Sequence, residues 1–381
     1  MKVVIPKDEI VSLIGKMLCI VAPKPAIPIL SNVLLEAKDD QLIISVTDLT
    51  VSIRCYAENT RVLEEGSIAV PARKFFQLIK EITSPQIKIS ALSTDMVEIT
   101  AGSSKFKIHS LPKDEFPTLP DLSSATQVSL EASVLKELFF KSAFSAAKDD
   151  SRYVLNGVYL KIENSQMIFV GTDGKRLAKA FSTVHIDPSF QGTYIIPLKA
   201  VEEMYKSLDD SDNIQLSFMH DKVSLEKSNF TLITKLLSGQ YPDVERVIPE
   251  NPKISVHLHR EELISLLRQV ALFTVDTSSS VKFVFEGGQL QLIASSSEIG
   301  EGTVMMPADY NKDRLEVAFN PYYFLDILRH SKDEVVNFHI EDPFNPGMVT
   351  DSSSAIFVIM PMRISDSAPQ VSNVPEEITH T

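Results

Sequence analysis

The sequence predicts an α+β protein made of three tandem copies of one domain, each with two helices and antiparallel strands, because three landmarks recur in step along the chain. The first is a strand pair. LSNVLLEAKDDQLIISVTD (Leu30–Asp48) aligns without gaps to LNGVYLKIENSQMIFVGTD (Leu155–Asp173), and VKFVFEGGQLQLIASSS from Val281 sets Gln289 against Gln166 and Gln41. Each copy runs through a polar pair between two apolar-rich segments: Asp39-Asp40, Asn164-Ser165 and Gly287-Gly288. That pattern predicts two strands joined by a tight turn.

The second landmark is a helix start. VPARKFFQLIKEI, IPLKAVEEMYKSL and FNPYYFLDILRHS carry prolines at 71, 197 and 321. Proline suits the first helical position, where its missing N–H costs nothing. The spacing then turns Phe75 and Leu78, Val201 and Met204, and Leu325 and Leu328 toward one core. The third landmark is a further amphipathic helix: Ile10, Leu13, Ile14 and Met17 correspond to Leu135, Leu138, Phe139 and Ser142, then to Leu263, Leu266, Leu267 and Val270.

Domains are therefore expected over residues 1–122, 123–252 and 253–364, with linkers in PDLSSATQ after Leu119 and IPENPKI around Pro249. Residues 365–381, polar and proline-containing, are expected to be a disordered tail.

Composition narrows the function classes. The 381 residues are 44% hydrophobic and 23% charged, without the apolar run of about 18 residues that a membrane span needs. MKVVIPKDEI places a proline and two acids where a secretory signal needs apolar residues, which predicts a cytoplasmic protein. Cys19 and Cys55 are too few for a disulfide framework and are expected to be buried, reduced thiols. A net charge of −13 argues against a conventional DNA-binding domain, whose affinity comes from many basic contacts to phosphate.

No GxxxxGK[ST] loop and no HExxH pair occurs, so no nucleotide hydrolysis, metal or cofactor is expected. Asp48 and Asp173 hold equal places in two repeats, and Ser296 stands there in the third. They read as turn braces more readily than as catalytic acids, and no catalytic residue is assigned.

Repeated domains with one shared core pattern suit a closed ring. Twelve helices from two chains, spaced about 10 Å apart, trace a circumference of about 120 Å and leave a bore of roughly 28 Å, wide enough for a duplex. The six helical windows together carry only −1 of the chain's net charge, so their basic residues are available to a bore.

Five motifs extend this reading: KPAIPILSN from Lys24, PARKFF from Pro71, TDGKRLA from Thr172, QYPDVERVIP from Gln240 and VIMPMRI from Val358. In their order and spacing, over residues 1 to about 364, they resemble the bacterial DNA polymerase III beta subunit family. The resemblance implies the DNA clamp fold, a head-to-tail homodimeric ring around double-stranded DNA held without regard to sequence, and no catalytic activity. It also implies loading by an ATP-driven clamp loader. The replicative polymerase, other polymerases and repair proteins would dock through short linear motifs.

Carried over by matching position, the peptide-binding set is Leu155, Thr172, Gly174, Lys175, Arg176, Leu177, Pro242, Arg246, Val247, Val358, Met360, Pro361, Met362 and Arg363, a cleft between the second and third domains. The DNA set is Lys24, Arg73, Lys148, Arg152, Tyr153 and Lys199. The dimer set is Lys74, Phe106 and Ile108 against Leu272, Phe273 and Glu298. The chain departs from the family pattern at Asp149, acidic where some members have a neutral side chain near DNA, and in the tail after Ile364. An enzyme built of repeats and a scaffold without DNA are the rival classes. The first would need a convergent catalytic set, and the second is opposed only by the resemblance.

Overall fold

The computed structural model describes residues 1–93, 95–120, 122, 125–250, 252–275 and 279–363. The tail expected to be disordered lies outside them. The chain divides into two compact units, Met1–Asp243 and the residues from Val244 onward.

The first unit begins with β1 (Lys2–Pro6), α1 (Lys7–Met17), β2 (Asn32–Lys38), β3 (Gln41–Thr47), β4 (Val51–Ala57), β5 (Arg61–Glu64), β6 (Gly66–Pro71), α2 (Ala72–Glu81), β7 (Gln86–Ser93), β8 (Met96–Ala101) and β9 (Ser104–His109). It continues through β10 (Thr126–Glu131), α3 (Ala132–Ser142), β11 (Gly157–Glu163), β12 (Gln166–Thr172), β13 (Arg176–Thr183), β14 (Gly192–Pro197), α4 (Leu198–Ser207), β15 (Asn213–Phe218), β16 (Lys222–Lys227) and β17 (Phe230–Lys235). The second unit holds β18 (Ile254–His259), α5 (Arg260–Ala271), β19 (Val281–Glu286), β20 (Gln289–Ser296), β21 (Gly300–Pro307), β22 (Leu315–Phe319), α6 (Pro321–His330), β23 (Val335–Ile340), β24 (Gly347–Thr350) and β25 (Ala355–Ile359).

The three polar pairs form the same turn. Asp39 and Asp40, Asn164 and Ser165, and Gly287 and Gly288 all have φ between 50° and 80°. This left-handed geometry matches the twist of the strands it joins. Register follows, with Lys38 opposite Gln41, Glu163 opposite Gln166 and Glu286 opposite Gln289.

A finer repeat, not read from the sequence, lies inside each domain. Apart from β5, every domain is strand, helix and three strands written twice. The opening strand of each half pairs with the other half: β1 with β7 and β6 with β2, β10 with β15 and β14 with β11, β18 with β23 and β22 with β19. Neither half can complete its sheet alone. Within the first unit, β4 also pairs with β17, joining β6-β2-β3-β4 and β17-β16-β15-β10 into one eight-stranded antiparallel sheet.

The two helices of each domain pack against one another and on the sheets. Ile10, Leu13, Ile14, Met17, Leu135, Leu138, Phe139, Ser142, Leu263, Leu267 and Val270 are buried as the pattern requires. Leu78 and Leu266 are only half-buried; Ile79, the next residue, and Ile264, two residues earlier, take core positions. The prolines also need correction. Pro71 and Pro197 are N-caps, whereas Pro321 is the first helical residue behind Asn320, whose side chain accepts from the N–H groups of Tyr322 and Tyr323. The third helix is therefore shifted by one residue against the proline alignment. The true equivalents of Phe75 and Val201 include Phe324, which is fully buried.

Ser142 interrupts an otherwise apolar helix face, its buried hydroxyl satisfied by donating to the Leu138 carbonyl at 2.7 Å. A Cβ on Gly171 of β12 would lie 2.2 Å from the Ser142 carbonyl oxygen. The missing side chain of Gly171 thus allows the end of α3 to approach its sheet closely. Cys55 is buried as expected, but Cys19 is exposed. Packing around the Cys19 sulfur, with Glu203 beside it, still pushes its thiol up to about 12.

In the third domain, Phe324 stacks on Phe283 at 5.0 Å and meets Phe338 edge-on at 5.4 Å, with Phe319 closing the cluster. Phe324→Ala is expected to destabilise this domain by about 3–5 kcal/mol, seen in a denaturant titration and as accelerated hydrogen exchange in β19 and β23.

Candidate functional site

The turn after β12 organises the second domain's share of the predicted peptide set. Thr172 Oγ1 donates to the Arg176 carbonyl (2.6 Å) and accepts from Gly174 N–H (3.0 Å). Asp173 Oδ1 accepts from the N–H groups of Lys175 and Arg176, at 2.9 and 3.0 Å. Its other oxygen receives Arg176 Nε at 3.1 Å, and the same guanidinium donates to the Phe144 carbonyl and lies over the Phe144 ring. Asp173 is therefore a brace, as expected.

Asp48 closes the equivalent turn in the first domain, accepting from Thr50 and Val51 N–H at 2.9 and 2.7 Å, and Ser296 does so in the third, accepting from Glu298 N–H at 3.2 Å. The first two repeats thus share one turn, while the third is one residue shorter and braced by a serine.

Gly174 has φ +83°, a conformation costly for other residues, and a Cβ there would lie 2.8 Å from an Arg152 guanidinium nitrogen. Arg152 thus sits against the turn, donating to the Asp173 carbonyl and pairing with Asp150 at 2.9 Å. Sequence reasoning placed Arg152 only with DNA. The signal was the glycine, since a TDG turn implies a neighbour where a side chain would be.

Leu155 and Leu177 are buried beside this turn, Lys175 and Pro242 are exposed, and Tyr241 stacks on Tyr159 at 5.0 Å. Burial pushes the Tyr241 phenol up. Lys175 is thus an exposed cation on a braced turn flanked by the buried Leu155 and Leu177.

The rest of the peptide set belongs to the second unit. Arg246 and Val247 are exposed on a single 3-10 turn, and Val358 is a buried residue of β25. β25 ends at Ile359, and Met360 and Pro361 carry the chain to Met362, whose N–H donates to the Ala318 carbonyl at 2.7 Å. Met360 and Arg363 are exposed, and Pro361 and Met362 half-buried.

The DNA set falls into two groups. Lys24, Arg73, Lys148 and Tyr153 are exposed, and Arg73 donates to the Val21 carbonyl, tying α2 to the loop that carries Lys24. Arg152 and Lys199 are instead neutralised, Lys199 by Asp48 at 2.5 Å. Other helix cations are paired too: Lys136 with Asp210, Lys206 with Glu203, and Arg329 with Asp326.

Two members of the dimer set lie at a sheet edge. Phe106 and Ile108 are on β9, the last strand of β5-β1-β7-β8-β9, beside a cavity of about 230 Å³ lined by Leu78, Ile82, Ala101 and Phe106. Lys74 is exposed on α2. In the second unit, Leu272 is 74% exposed, Phe273 packs over Gly302 of the terminal strand β21, and Glu298 is exposed. Among the described residues, no group of three or more His, Cys, Asp or Glu is placed to hold a metal ion, and no helix is long and apolar enough to cross a membrane.

Hydrogen bonds from the Arg152 side chain and N–H hold the Asp150 carboxyl at about 2. With the folded value depressed, the contact is intact above the ordinary carboxylate range and is lost only as pH falls through about 2. Carboxyl-carbon NMR should give Asp150 a midpoint near that value. Arg152→Gln should return it toward about 3.9.

Three family models match in sequence: the N-terminal, central and C-terminal domains of the DNA polymerase III beta subunit, over residues 1–120, 129–243 and 245–363. The beta sliding clamp of Chlamydia muridarum is 48% identical over 366 residues, covering 96% of this chain and all of that one. The Escherichia coli beta sliding clamp is 30% identical, covering 90% of this chain and 94% of its own. The crystal structure of the DNA polymerase III subunit beta from Pseudomonas aeruginosa superposes with a TM-score of 0.92 at 28% identity, covering 96% of this chain and 100% of that one. The chain therefore belongs to the DNA polymerase III beta subunit family, the beta sliding clamps, as a non-catalytic processivity factor with the three-domain α+β clamp fold.

Proposed function

We propose that two copies close head to tail into a ring around double-stranded DNA in the cytoplasm, with domain limits near residues 122 and 252. The observation that carries this is a pair of unpaired sheet edges with matching chemistry. β9 (SKFKIH) exposes Phe106 between two lysines, while β21 begins GEG beside exposed Glu298, Ile299 and Leu272. An exposed six-residue edge holding Phe106 and Ile108 invites pairing with another strand. Lys74 would meet Glu298 across that edge, and apolar groups flanked by charges are the usual anatomy of such an interface.

DNA retention then depends on closure rather than on affinity, in keeping with the −13 charge. Lys24, Arg73 and Lys148 are the contacts best supported, because no carboxylate neutralises them among the described residues. After loading on nicked circular DNA by an ATP-driven clamp loader, linearisation should release the ring. Equal residence on circular and linear DNA overturns the proposal. Phe106→Asp with Leu272→Asp should give monomers in sedimentation, and a surviving dimer moves the interface elsewhere.

The output of the ring is proposed to be peptide docking on the two residue groups built around Leu177 and Met362, through which the replicative polymerase, the clamp loader and other polymerases and repair proteins engage by short linear motifs. The braced turn flanked by Leu155 and Leu177, with its cation Lys175, supports a ligand with apolar side chains and an acidic group. Ordering a flexible peptide offsets much of its contact energy, so an affinity near micromolar, about −8 kcal/mol, is expected. Leu177→Ala with Met362→Ala should weaken peptide binding at least tenfold in calorimetry while leaving the dimer intact; unchanged binding removes the site.

A further inference from the structure

The geometry points to Tyr322 as a further DNA-contacting residue, its phenol donating a hydrogen bond to backbone phosphate; this rests on the proposed encirclement of duplex DNA. The corrected helix alignment makes Arg73, Lys199 and Tyr322 equivalent, each the second residue of the second helix of its domain, behind Pro71, Pro197 and Asn320. The residue before each, Ala72, Leu198 or Pro321, is buried, so all three side chains leave the helix at the same step, and all three are exposed.

That position is chemically anomalous. The positive end of a helix dipole favours acids, and the first helices obey, with Asp8 and Glu261 at their second positions in domains one and three. The second helices instead place Arg73 and Lys199 against the dipole. Lys199 is answered there by Asp48 at 2.5 Å, whereas Arg73 has no carboxylate partner among the described residues and is open to an outside anion; Tyr322 is the uncharged member of that series.

Solvent exposure supports the same reading independently. Of nine tyrosines in the chain, only Tyr153 and Tyr322 are exposed, at 55% and 48%, and Tyr153 is already in the DNA set. Tyr322 has no ring partner or side-chain hydrogen bond among the described residues, and its own N–H is capped by Asn320. Its phenol therefore plays no part in holding α6. Tyrosine hydroxyls are common phosphate donors, and a neutral donor releases no counterion.

The test is binding of the intact protein to a short duplex across a salt series. Tyr322→Phe and Tyr322→Ala should each weaken binding about 3- to 10-fold with an unchanged salt slope and an unchanged melting temperature. Tyr322→Arg should steepen the log–log slope by about 0.9, and Arg73→Ala should flatten it by about as much. If Tyr322→Phe binds like the parent while Arg73→Ala weakens binding, the inference falls and encirclement stands. If neither variant changes binding, the DNA reading itself falls with it.

Discussion

A strand at the edge of a sheet presents N–H and C=O groups with no partner, and the need to pair them governs this chain at every scale. Inside a domain, each half donates its first strand to the other half, so the βαβββ unit is never a folding unit by itself. Between the first and second domains, β4 and β17 meet along Val51–Cys55 and Phe230–Thr234, and two sheets become one. Among the strands left at sheet ends are β9 and β21, the edges at which the proposal places a second copy. The dimer would then be the same solution applied once more, with side-chain charge selecting which edges meet.

The sequence was informative where a local rule acts alone. Turn pairs, strand register and the apolar faces of the helices follow from steric preference and period, and they survive in the structure at Asp39-Asp40, Asn164-Ser165 and Gly287-Gly288. It was weaker where two segments decide together. Pro321 looked equivalent to Pro71 until Asn320 proved to be the cap, because proline is compatible with both the N-cap and the next position. Ser142 gave no reason for its polarity until its hydroxyl was seen to donate to the Leu138 carbonyl one turn back. Cys19 could not be assigned from cysteine count, since exposure depends on what packs at the end of α1. The half-domain repeat was hidden for a similar reason: strand exchange leaves no trace in period or composition.

Charge shows the same division. The helical windows are nearly neutral in sum, yet the sum conceals which cations are engaged. Lys199, Arg152, Lys136 and Lys206 each have a carboxylate within 3 Å, whereas Lys24, Lys74, Lys80 and Lys148 have no such ion pair among the described residues. Exposed ion pairs are worth little in stability, about 0–1 kcal/mol, but they reduce the field a phosphate would meet. Under the proposed encirclement, few and weak contacts favour sliding, because each strong one would slow it.

One turn put to two uses ties these observations together. Asp48 and Asp173 brace identical turns with one oxygen, and their second oxygens differ in destination. In the second domain that oxygen takes Arg176 from its own turn, so the turn is self-contained. In the first domain Val51 replaces the arginine, and Lys199 arrives from α4 of the second domain to take its place. The same repeat therefore serves as a link between domains where its cation comes from outside, and closes on itself where its cation comes from within. Which role a copy can take is decided by the residue three places after the aspartate.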